Sequence, residues 1–486
     1  MTARFDVVIL GAGSAGAALA GMLAGAGREV ALVEARRFDV GGARWVNDVP
    51  PWMFDRAGVG RPEPPERSSD PMPVTILGGA PSARLAVGLR PMWGVDMRRL
   101  TERLRAEARS AGAEPFEAAA LDAVEERGGR LLAITLRARR LSGAELAQGQ
   151  PAEEAVRPHT LRAQLFVDAT GTRQSLLRRS STLAADCPAP AGADVCTAHQ
   201  QVREISDRDG ARAFLDKHGV APGQVLTFLG LRGGYSTLGV IVDADLEHVE
   251  VLTGVGGGTS HGRASQLHRE LVGRERWIGR VIYGGGGRIP IRRPYDRLAA
   301  PGLALLGDSA CQVFPVHGSG VGSGLVAARI LAEAIAGFDD PGCERATWAY
   351  QAAFHRERGG VHAAYDVMRR ATQRLDARTL DTLLASGLVS QQSTAAALAQ
   401  ELHSPTLGEI ARLARSATRA PRAAAGLVGA ALRMPAVVAL YKRYPTTVDV
   451  RALRRWARGA AALCGHAADV RAQSRPLRAA LDASST

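Results

Sequence analysis

The residues best suited to chemistry lie in two glycine-rich turns, one near the N-terminus and one far along the chain. The first reads GAGSAG, from Gly11 to Gly16, between a strand candidate (FDVVIL) and a helix candidate. In this GxGxxG pattern Gly11 permits the tight turn, Gly13 lets the backbone approach a pyrophosphate, and Gly16 allows close packing of helix and strand. Ser14 and Ala15 complete the turn, where the first N–H groups of a helix attract phosphate. The pattern predicts a dinucleotide site.

An acidic residue stands where a dinucleotide site needs one. Glu34 closes the second strand candidate, REVALVE, 23 residues after Gly11. At that position a carboxylate can accept hydrogen bonds from ribose hydroxyls. The alternative is a glycine-rich helix in a packed α/β core that holds no ligand. The motif by itself leaves NAD and FAD both open.

The second turn lies in the stretch LALLGDSACQVFPVHGSGVGSGL at 303–325. It runs from an apolar strand candidate into Gly307-Asp308, and then into a run of glycines before an Ala-rich helix. One acid among small residues next to a helix start indicates a place where backbone closely approaches a bound group. The alternative is a glycine-rich turn in which Asp308 is a solvated helix cap.

The elements around these turns predict an α/β protein. Strand and helix candidates alternate over the first 34 residues, a helix candidate covers 97–111, and strand candidates follow at 131–137 and 161–168. From 225 to 255 the pattern is β again, and beyond 325 the chain is helical and rich in Ala, Leu and Arg. This order predicts a nucleotide-binding domain interrupted by a sheet domain and followed by a helical region.

Composition excludes several classes of protein. The 486 residues are 46% hydrophobic and 22% charged, as in a soluble globular protein of two or three structural units. The apolar run near the N-terminus is too short for a signal peptide, so we expect a cytoplasmic protein. No apolar run of about 18 residues is uninterrupted, so we expect no membrane-spanning helix. The five cysteines form no CxxC pair, so we expect neither a disulfide framework nor a metal site.

The basic charge concentrates in the C-terminal region. The net charge is +13, and residues 341–486 contain 21 Lys and Arg against 10 Asp and Glu. Such a region can attract an anionic membrane surface or an acidic carrier protein, whereas no aromatic and basic motif of nucleic-acid binding is present. The alternative is an arginine-rich genome, since Lys217 and Lys442 are the only lysines.

With VDATG at 167–171, the two turns resemble the p-hydroxybenzoate hydroxylase-type superfamily of FAD-dependent oxidoreductases. The segment GRIPIRRPYDRLAAPGLALLGDSACQVFPVHGSGVG is most similar to the geranylgeranyl reductase-like branch. The motifs extend from residue 5 to residue 335. The resemblance implies a Rossmann-like FAD-binding domain (GR2-type) at 1–60, 90–175 and 281–340. It also implies a substrate domain with an antiparallel sheet at 61–89 and 176–280, and a helical C-terminal region at 341–486.

The resemblance also implies roles for single residues. In such proteins the acid of the Gly-Asp pair hydrogen-bonds the ribityl chain of FAD, which implicates Asp308. A helix that begins near Gly322 would direct its N-terminal dipole at the flavin. The backbone groups that would lie against the flavin pyrimidine edge are those of Gly318, Ser319, Gly320 and Val321.

Three further cofactor contacts follow from the same resemblance. Arg44 would reach the pyrophosphate, and Leu121 would contact the adenine through its backbone. A flavin-contacting arginine of the family is Met97 here, so Arg98 is its stand-in. For Arg44 and Leu121 a surface or core role is the alternative.

Sequence differences from related families reduce the number of reactions that this chain is expected to catalyse. Tryptophan-type halogenases use a lysine near the flavin, and no lysine precedes Lys217, so halogenation is not expected. Aromatic hydroxylases usually have Ala-Asp-Gly where this chain has DATG at 168–171. Prenyl reductases often have a cysteine after the acidic strand, whereas Cys187 is the first here. Their Tyr-x-Trp-x-Phe-Pro strand is GGYSTLGVI, which keeps Tyr235 and replaces the tryptophan with Thr237.

The favoured interpretation is an FAD-dependent oxidoreductase that transfers hydride through flavin N5 to or from a small apolar substrate, such as a prenyl, polyene or other secondary metabolite. NADPH or NADH would be the electron donor. One alternative is a flavin-dependent monooxygenase, a hydroxylase or epoxidase; the other is a membrane-surface or partner-binding flavoprotein. His317 and Tyr235 are the candidate proton donors, against a solvated loop histidine and a half-buried packing tyrosine.

Overall fold

The computed structural model describes residues 2–89, 92–138, 159–257, 263–404, 406–418, 421–465 and 469. Within these residues three sheets and a set of packed helices form the fold. The largest sheet contains the strand that leads into each glycine-rich turn. A second sheet lies beside it and is the candidate substrate sheet.

The eight-stranded sheet is parallel at its centre. In it β1 pairs in parallel with β2 and β11, and β11 pairs in parallel with β18. Residues 7–9 of β1 are fully buried, as expected for a parallel strand covered on both faces. The strands are β1 (Thr2–Leu10), β2 (Val30–Val33), β8 (Glu114–Phe116), β9 (Ala119–Arg127), β10 (Arg130–Ala138), β11 (His159–Asp168), β17 (Ala299–Ala300) and β18 (Leu303–Leu305).

The seven-stranded sheet is antiparallel except for one parallel pair, β13 with β5. Its spatial order is β16-β12-β15-β14-β13-β5-β6. The strands are β5 (Pro73–Leu77), β6 (Arg84–Leu89), β12 (Val195–Ile205), β13 (Val225–Leu229), β14 (Ser236–Val242), β15 (His248–Gly256) and β16 (Ile278–Pro290). Helices α4 (Arg208–His218) and α5 (Ala264–Arg274) cover one face. A small third sheet has the order β3 (Val46–Val49), β7 (Trp93–Asp96), β4 (Arg67–Ser69).

Four helices pack around the eight-stranded sheet and share its hydrophobic core. They are α1 (Ser14–Gly25), α2 (Pro51–Ala57), α3 (Met97–Ser110) and α6 (Val321–Ile335). Helices α1 and α6 are rich in Ala and Gly, so their backbones approach one another closely. This close packing brings the two glycine-rich turns to the same edge of the sheet.

The helices after residue 340 take part in several hydrophobic clusters. Helix α7 belongs to the main core, where the Tyr350 hydroxyl donates to the Leu305 carbonyl at 2.7 Å. A second cluster, with Tyr441 and Trp456 at its centre, joins α8, α12 and α13. The helices are α7 (Glu344–Phe354), a π-helical turn (His355–Gly359), α8 (Gly360–Thr372), α9 (Ala377–Ser386), α10 (Gln391–Leu398), α11 (Leu407–Ala417), α12 (Pro421–Tyr441) and α13 (Val450–Cys464).

Helix α12 differs from the sequence-based expectation. By length and composition, its segment Ala424–Tyr441 could cross a membrane. The search for an uninterrupted apolar run missed it because Arg433 stands within the helix. Only 22% of that segment is buried inside the fold.

The predicted fold class is confirmed: a Rossmann-like α/β core, additional sheets and a helical C-terminal region are present. Some predicted boundaries differ from the sheets. Strand β16 continues to Pro290 in the seven-stranded sheet, past the expected boundary at 280. The sequence did not predict this strand, because GGGG at 284–287 resembles a loop. Within 61–89, β4 pairs with β7 in the third sheet. The division into three domains stays a prediction.

Candidate active site

The three motif glycines of the first turn have different surroundings. Gly11 has a φ of +103°, and a Cβ there would clash with the Ala169 carbonyl oxygen. A Cβ at Gly16 would clash with the carbonyl oxygen of Gly11. At Gly13, in contrast, no atom of the described residues beyond its chain neighbours lies within 4 Å of the Cβ position. The protein itself therefore leaves room at Gly13, directly before the open N-terminus of α1.

Glu34 lies beside this turn, as the motif predicts. Its carboxylate accepts from the backbone N–H of Ala12 at 3.2 Å and from that of Arg36 at 3.1 Å. These bonds fix the side chain and leave lone pairs for further donors, since a carboxylate has about four acceptor positions. Ala119 donates its N–H to the Glu34 carbonyl at 3.0 Å, which places Leu121 two residues further along β9. Leu121 is partly buried there.

A residue that the sequence analysis missed also lies at this turn. Arg105 of α3 donates through Nε to the Ala12 carbonyl at 2.7 Å and through Nη1 to the Phe38 carbonyl. It is 6% exposed, its Nη2 is buried without a hydrogen-bond partner among the described residues, and burial lowers its pKa. The signal in the sequence is an arginine one position from the apolar stripe of an amphipathic helix, which is too common to single out.

The end of β11 joins the two turns. Asp168 is fully buried and accepts five hydrogen bonds. Four donors belong to the residues that follow it: two from Thr170, and the N–H groups of Leu176 and Leu177. The fifth is the hydroxyl of Ser309, at 3.0 Å, in the second turn. The carboxylate therefore holds the second turn against the end of a central strand.

The two glycine-rich turns share one cleft. A Cβ placed on Gly307 would lie 3.8 Å from the Ala15 Cβ, and one placed on Gly324 would lie 3.1 Å from it. Asp308 follows in a short 3₁₀ turn, Gly307–Ala310, directly after β18. A single extended ligand can therefore contact both turns.

The Asp308 carboxylate accepts no hydrogen bond from the described residues. Burial raises its pKa from the ordinary 3.8 to about 6. A Cβ placed on Gly320 would lie 3.0 Å from its Oδ1, so the second run of glycines passes directly beside it. An acidic group in this position lacks a donor, which hydroxyl groups of a ligand would supply.

The second run of glycines is held in place by its neighbours. The Ser319 hydroxyl donates to Asn47 Oδ1 at 2.8 Å and to the Asp48 carbonyl at 3.1 Å, both in β3. Gly318 has a φ of +73°, which favours glycine. Helix α6 begins at Val321, one residue before the expected start, and Gly320 precedes it without a side-chain cap. Its first N–H groups are therefore open to a ligand.

Tyr235 reaches this loop from the other sheet. A Cβ placed on Gly318 would lie 3.7 Å from the Tyr235 hydroxyl oxygen and 3.7 Å from the Ile289 side chain. Burial raises the pKa of Tyr235 well above its ordinary value, so its phenol stays protonated. His317 lies on the same loop, where its Nδ1 accepts from the Ser319 N–H at 3.3 Å. The fold thus brings both candidate proton donors to the glycine loop.

The wall behind the loop comes from the helical C-terminal region, which the sequence analysis did not expect to contribute. The Phe314 ring lies 4.9 Å from that of His317, 4.9 Å from Tyr365 and 5.8 Å from His362, the last two on α8. Burial and the nearby charge of Arg358 together lower the pKa of His362 to about 3, so the ring is neutral at pH 7.

Arg98 and Arg44 lie further out. Arg98 donates to Asp96 through Nε at 3.1 Å and through Nη2 at 2.5 Å, and its guanidinium lies 3.8 Å from the centre of the Tyr283 ring. It thus connects α3 to β16 of the other sheet. Arg44 is exposed in the loop before β3. Direct contact of either residue with a cofactor stays a prediction.

The face of the seven-stranded sheet that meets the glycine loop carries small side chains. Cys196, Gly256 and Ile289 stand at the loop end, with Ala198 and Gly254 in the next cross-strand row. Further on, Leu252 is opposite Gly239 and is 37% exposed. We call this surface, formed by Ala198, Thr237, Gly239, Leu252 and Gly254, the substrate floor.

Larger groups close the two sides of the substrate floor. On one side Trp45 lies over β16, 3.4 Å from a Cβ placed on Gly285 and 3.3 Å from one placed on Gly287. On the other side Leu384 of α9 and Leu398 of α10 pack on β5 and β13. Between them a Cβ placed on Gly239 would meet only Leu252 within 4 Å.

The residues at the cleft that the two glycine-rich turns share fit a dinucleotide. Among the described residues, no atom fills the space at Gly13, none pairs with a buried guanidinium nitrogen of Arg105, and none donates to the Asp308 carboxylate. These three groups match, respectively, a pyrophosphate, an adenosine oxygen or phosphate, and ribityl hydroxyls.

Comparison with known proteins agrees with this geometry. The chain is 24% identical over 391 residues to a digeranylgeranylglycerophospholipid reductase of Sulfolobus acidocaldarius, which covers 76% of this chain and 78% of the relative. The fold of this chain matches that of a geranylgeranyl bacteriochlorophyll reductase-like protein from Thermoplasma acidophilum. The TM-score is 0.67 and the identity 15%, over 88% of this chain and 100% of that one. No protein-family model matches the chain.

The chain is thus similar to geranylgeranyl reductase-like FAD-dependent oxidoreductases. This similarity agrees with the resemblance, the fold class and the enzyme class that the sequence motifs predict. A flavin-dependent brominase also matches this flavoprotein, with a TM-score of 0.59 and 14% identity over 86% of this chain and 100% of that one. At such identities the solved structures bear on the fold alone. The roles of the individual site residues stay predictions.

Proposed function

We propose that this flavoprotein reduces carbon–carbon double bonds in the prenyl chain of a lipid. The observation that carries the proposal is the continuity between the glycine loop at Gly318 and the substrate floor. From Gly256 at the loop end to Leu252 of the floor, β15 extends about 13 Å at the usual rise of a strand. A flat, flexible, apolar chain suits a narrow surface of Gly, Ala, Thr and Leu residues. The similarity to a digeranylgeranylglycerophospholipid reductase supports the same substrate class.

The residues of the cleft that the two turns share would hold FAD. Gly13 and the N-terminus of α1 would receive the pyrophosphate, Glu34 the ribose, and Asp308 the ribityl chain. The N–H groups at the start of α6 would lie against the pyrimidine edge. When bound there, FAD supplies two-electron chemistry, with hydride transfer at N5.

The protein would position the substrate next to the flavin, exclude water from the site and supply a proton. Trp45 and the packed helices on the other side of the floor exclude water from an apolar chain placed between them. Placement of the reacting double bond next to the glycine loop is itself a large part of such catalysis. Reduction of a double bond needs one hydride and one proton, and Tyr235 is our candidate to hold that proton, with His317 as the second candidate.

The electrons have to come from outside the chain. Each reduced double bond consumes two electrons, and NADPH and NADH are the donors to test. A stopped-flow experiment without oxygen would follow bleaching of the flavin absorbance after mixing with either nucleotide, with reduced ferredoxin as the comparison. We expect one of the two nucleotides to bleach the flavin.

Anaerobic single turnover tests the reaction itself. The reduced holoenzyme is mixed with a geranylgeranyl glycerophospholipid in detergent, and the flavin spectrum and product mass are recorded. We expect the flavin to reoxidise without oxygen and the lipid to gain two hydrogens per turnover. If reoxidation requires oxygen and the product gains an oxygen atom, the enzyme is a monooxygenase and the proposal is wrong.

A lipid substrate also implies a place where the enzyme meets it. We extend the proposal to contact with a membrane surface through the C-terminal region, which the excess of basic residues after 340 supports. Delivery by an acidic carrier protein is the competing route, and contact with a carrier would not require an exposed apolar surface.

A further inference from the structure

We infer that helices α11 and α12 form the surface with which this protein docks on an anionic membrane. We call their exposed side chains the docking face. Four large apolar side chains project from it into solvent: Leu407 is 86% exposed, Ile410 49%, Val428 42% and Leu432 75%. Such a concentration is unusual on a soluble protein and marks an interaction site.

The spacing of the exposed residues shows that the apolar face is continuous along α12. Ala425, Val428, Leu432, Ala436 and Ala439 follow one another at intervals of three or four residues, and all are exposed. Three- and four-residue intervals place side chains on one side of a helix. The face therefore runs almost the full length of α12.

The opposite side of α12 is fixed to the rest of the fold. Ala430, Val437 and Tyr441 are buried in the cluster that α12 shares with α8 and α13. A helix anchored along one side by a protein core is suited to lie in the interface with its other side in lipid, and not to cross the bilayer. This distinguishes the docking face from a spanning segment.

The positive charge of the docking face favours an anionic lipid surface over other binding partners. Residues 407–443 contain seven Arg and Lys but a single acid, Glu409. Glu409 is 4% exposed and accepts from the Thr406 N–H at 2.7 Å, so it does not present its charge to solvent. Arg415, Arg433, Lys442 and Arg443 are exposed beside the apolar residues. Apolar residues flanked by cations match anionic headgroups, whereas a second copy of the same face would meet like charge.

The docking face lies one helix away from the candidate active site. Helix α12 packs on α8, and α8 carries Tyr365 and His362, whose rings contact Phe314 before the glycine loop. A lipid that enters beside α12 would therefore have a short path to the loop. The inference rests on the proposed function for its purpose, but the binding itself does not depend on catalysis.

Vesicle flotation tests the inference. The FAD-loaded full chain is mixed with vesicles of equal parts phosphatidylcholine and phosphatidylglycerol, or of phosphatidylcholine alone, neither of which contains a prenyl substrate. We expect the protein to float with the anionic vesicles and to be released by high salt. The double variant Val428→Glu/Leu432→Glu should bind about tenfold more weakly or worse, since it places charge where apolar side chains would enter the lipid.

A matched control keeps the test specific. The double variant Val281→Glu/Ile282→Glu changes residues that are 44% and 46% exposed on β16, the edge strand of the seven-stranded sheet opposite β6, and should float like the wild type. Visible spectra and thermal melting establish that both variants fold and hold flavin. The inference is overturned if the wild type does not float, or if the docking-face variant floats equally well. It is also overturned if size measurements show that the variant converts a dimer to a monomer, because a second copy then covers the face. Since the vesicles lack substrate, failure here leaves the proposed reaction untouched, and failure of the reaction leaves binding untouched.

Discussion

At Asp308, burial and ligand binding shift the pKa of the carboxyl group in opposite directions. Its carboxyl has a pKa of about 6, above the ordinary 3.8, because burial disfavours the charged form. In the free protein the stabilising contribution of the neutral acid is therefore complete below pH 4 and is lost as the pH rises through 6. Ribityl hydroxyls that donate to the carboxylate would instead favour the charged form. FAD binding should thus lower this pKa.

The pH dependence of FAD affinity checks this assignment. Below pH 6 a proton must leave before the carboxylate can accept from the ribityl chain, so the dissociation constant should rise by up to about tenfold per pH unit as the pH falls. Asp308→Asn should flatten that dependence, and Asp308→Ala should yield colourless protein. Fluorescence titration with FAD between pH 5 and pH 8 measures all three. An equal pH dependence in wild type and Asp308→Asn would contradict the role of this residue.

Gly13 and Gly25 offer a matched pair for the first turn. Both have no protein atom within 4 Å of the Cβ position, but only Gly13 faces the proposed pyrophosphate site, whereas Gly25 ends α1. Gly13→Ala should leave the stability of the free protein unchanged and weaken FAD binding about tenfold or more, because the methyl group would occupy space needed by the ligand. Gly25→Ala should bind FAD normally. Melting of the free protein and FAD titration separate the two effects.

At the scale of secondary-structure elements, the site depends on strand ends that are tied together. The turn after β1, the residues after β11 and the turn after β18 meet at one edge of the sheet, as parallel pairing requires. Asp168 accepts four hydrogen bonds from the residues after β11 and one from Ser309, which connects them to the turn after β18. Loss of this carboxylate would leave several buried N–H groups without an acceptor.

Asp168→Ala should therefore lower the free energy of unfolding by about 3 kcal/mol or more, and should weaken FAD binding because the second turn loses its attachment. Urea denaturation of the free protein and FAD titration provide the two measurements. Asp209→Ala is the control, since the Asp209 side chain is 93% exposed and should change neither quantity. A variant at Asp168 with wild-type stability would show that the residues around the turn do not need this acceptor.

At the scale of the whole molecule, the candidate active site lies between two sheets. One sheet provides the proposed dinucleotide site, the other the proposed substrate floor, and Tyr235 meets Gly318 where they join. The helical C-terminal region closes the back of the site through α8 and part of the floor through α9 and α10. Cofactor binding and substrate binding should thus be separable by mutation.

Gly239→Leu tests this separation. The new side chain would enter the open space above the floor, where only Leu252 is near, so the prenyl chain would lose room. We expect an increase of about tenfold in KM for the lipid, with an unchanged flavin spectrum and FAD affinity. Gly273→Leu, at a helix position with no protein atom within 4 Å, is the control. An unchanged KM would place the substrate elsewhere.

Local features of the sequence were sufficient for much of the cofactor cleft. The GAGSAG turn, Glu34 and the Gly-Asp pair are recognisable because each is a short motif whose residues are close in sequence and are predicted to contact one ligand group. Strands such as β1 and β14 were also predicted, since their apolar pattern is set by burial on one or both faces. Strand β16 was missed because four glycines interrupt any such pattern.

The chain by itself thus determined the fold class, the family resemblance and the positions of two candidate ligand-binding turns, because these depend on contacts between residues close in sequence. The tertiary structure alone decided that Arg105 lies at the first turn, that Asp168 holds the second, and that Tyr235 meets Gly318. It also decided that α12 packs on α8 through one side and leaves its other side in solvent. Each of these depends on segments that are distant in sequence and become neighbours only through packing, and no local pattern records that neighbourhood.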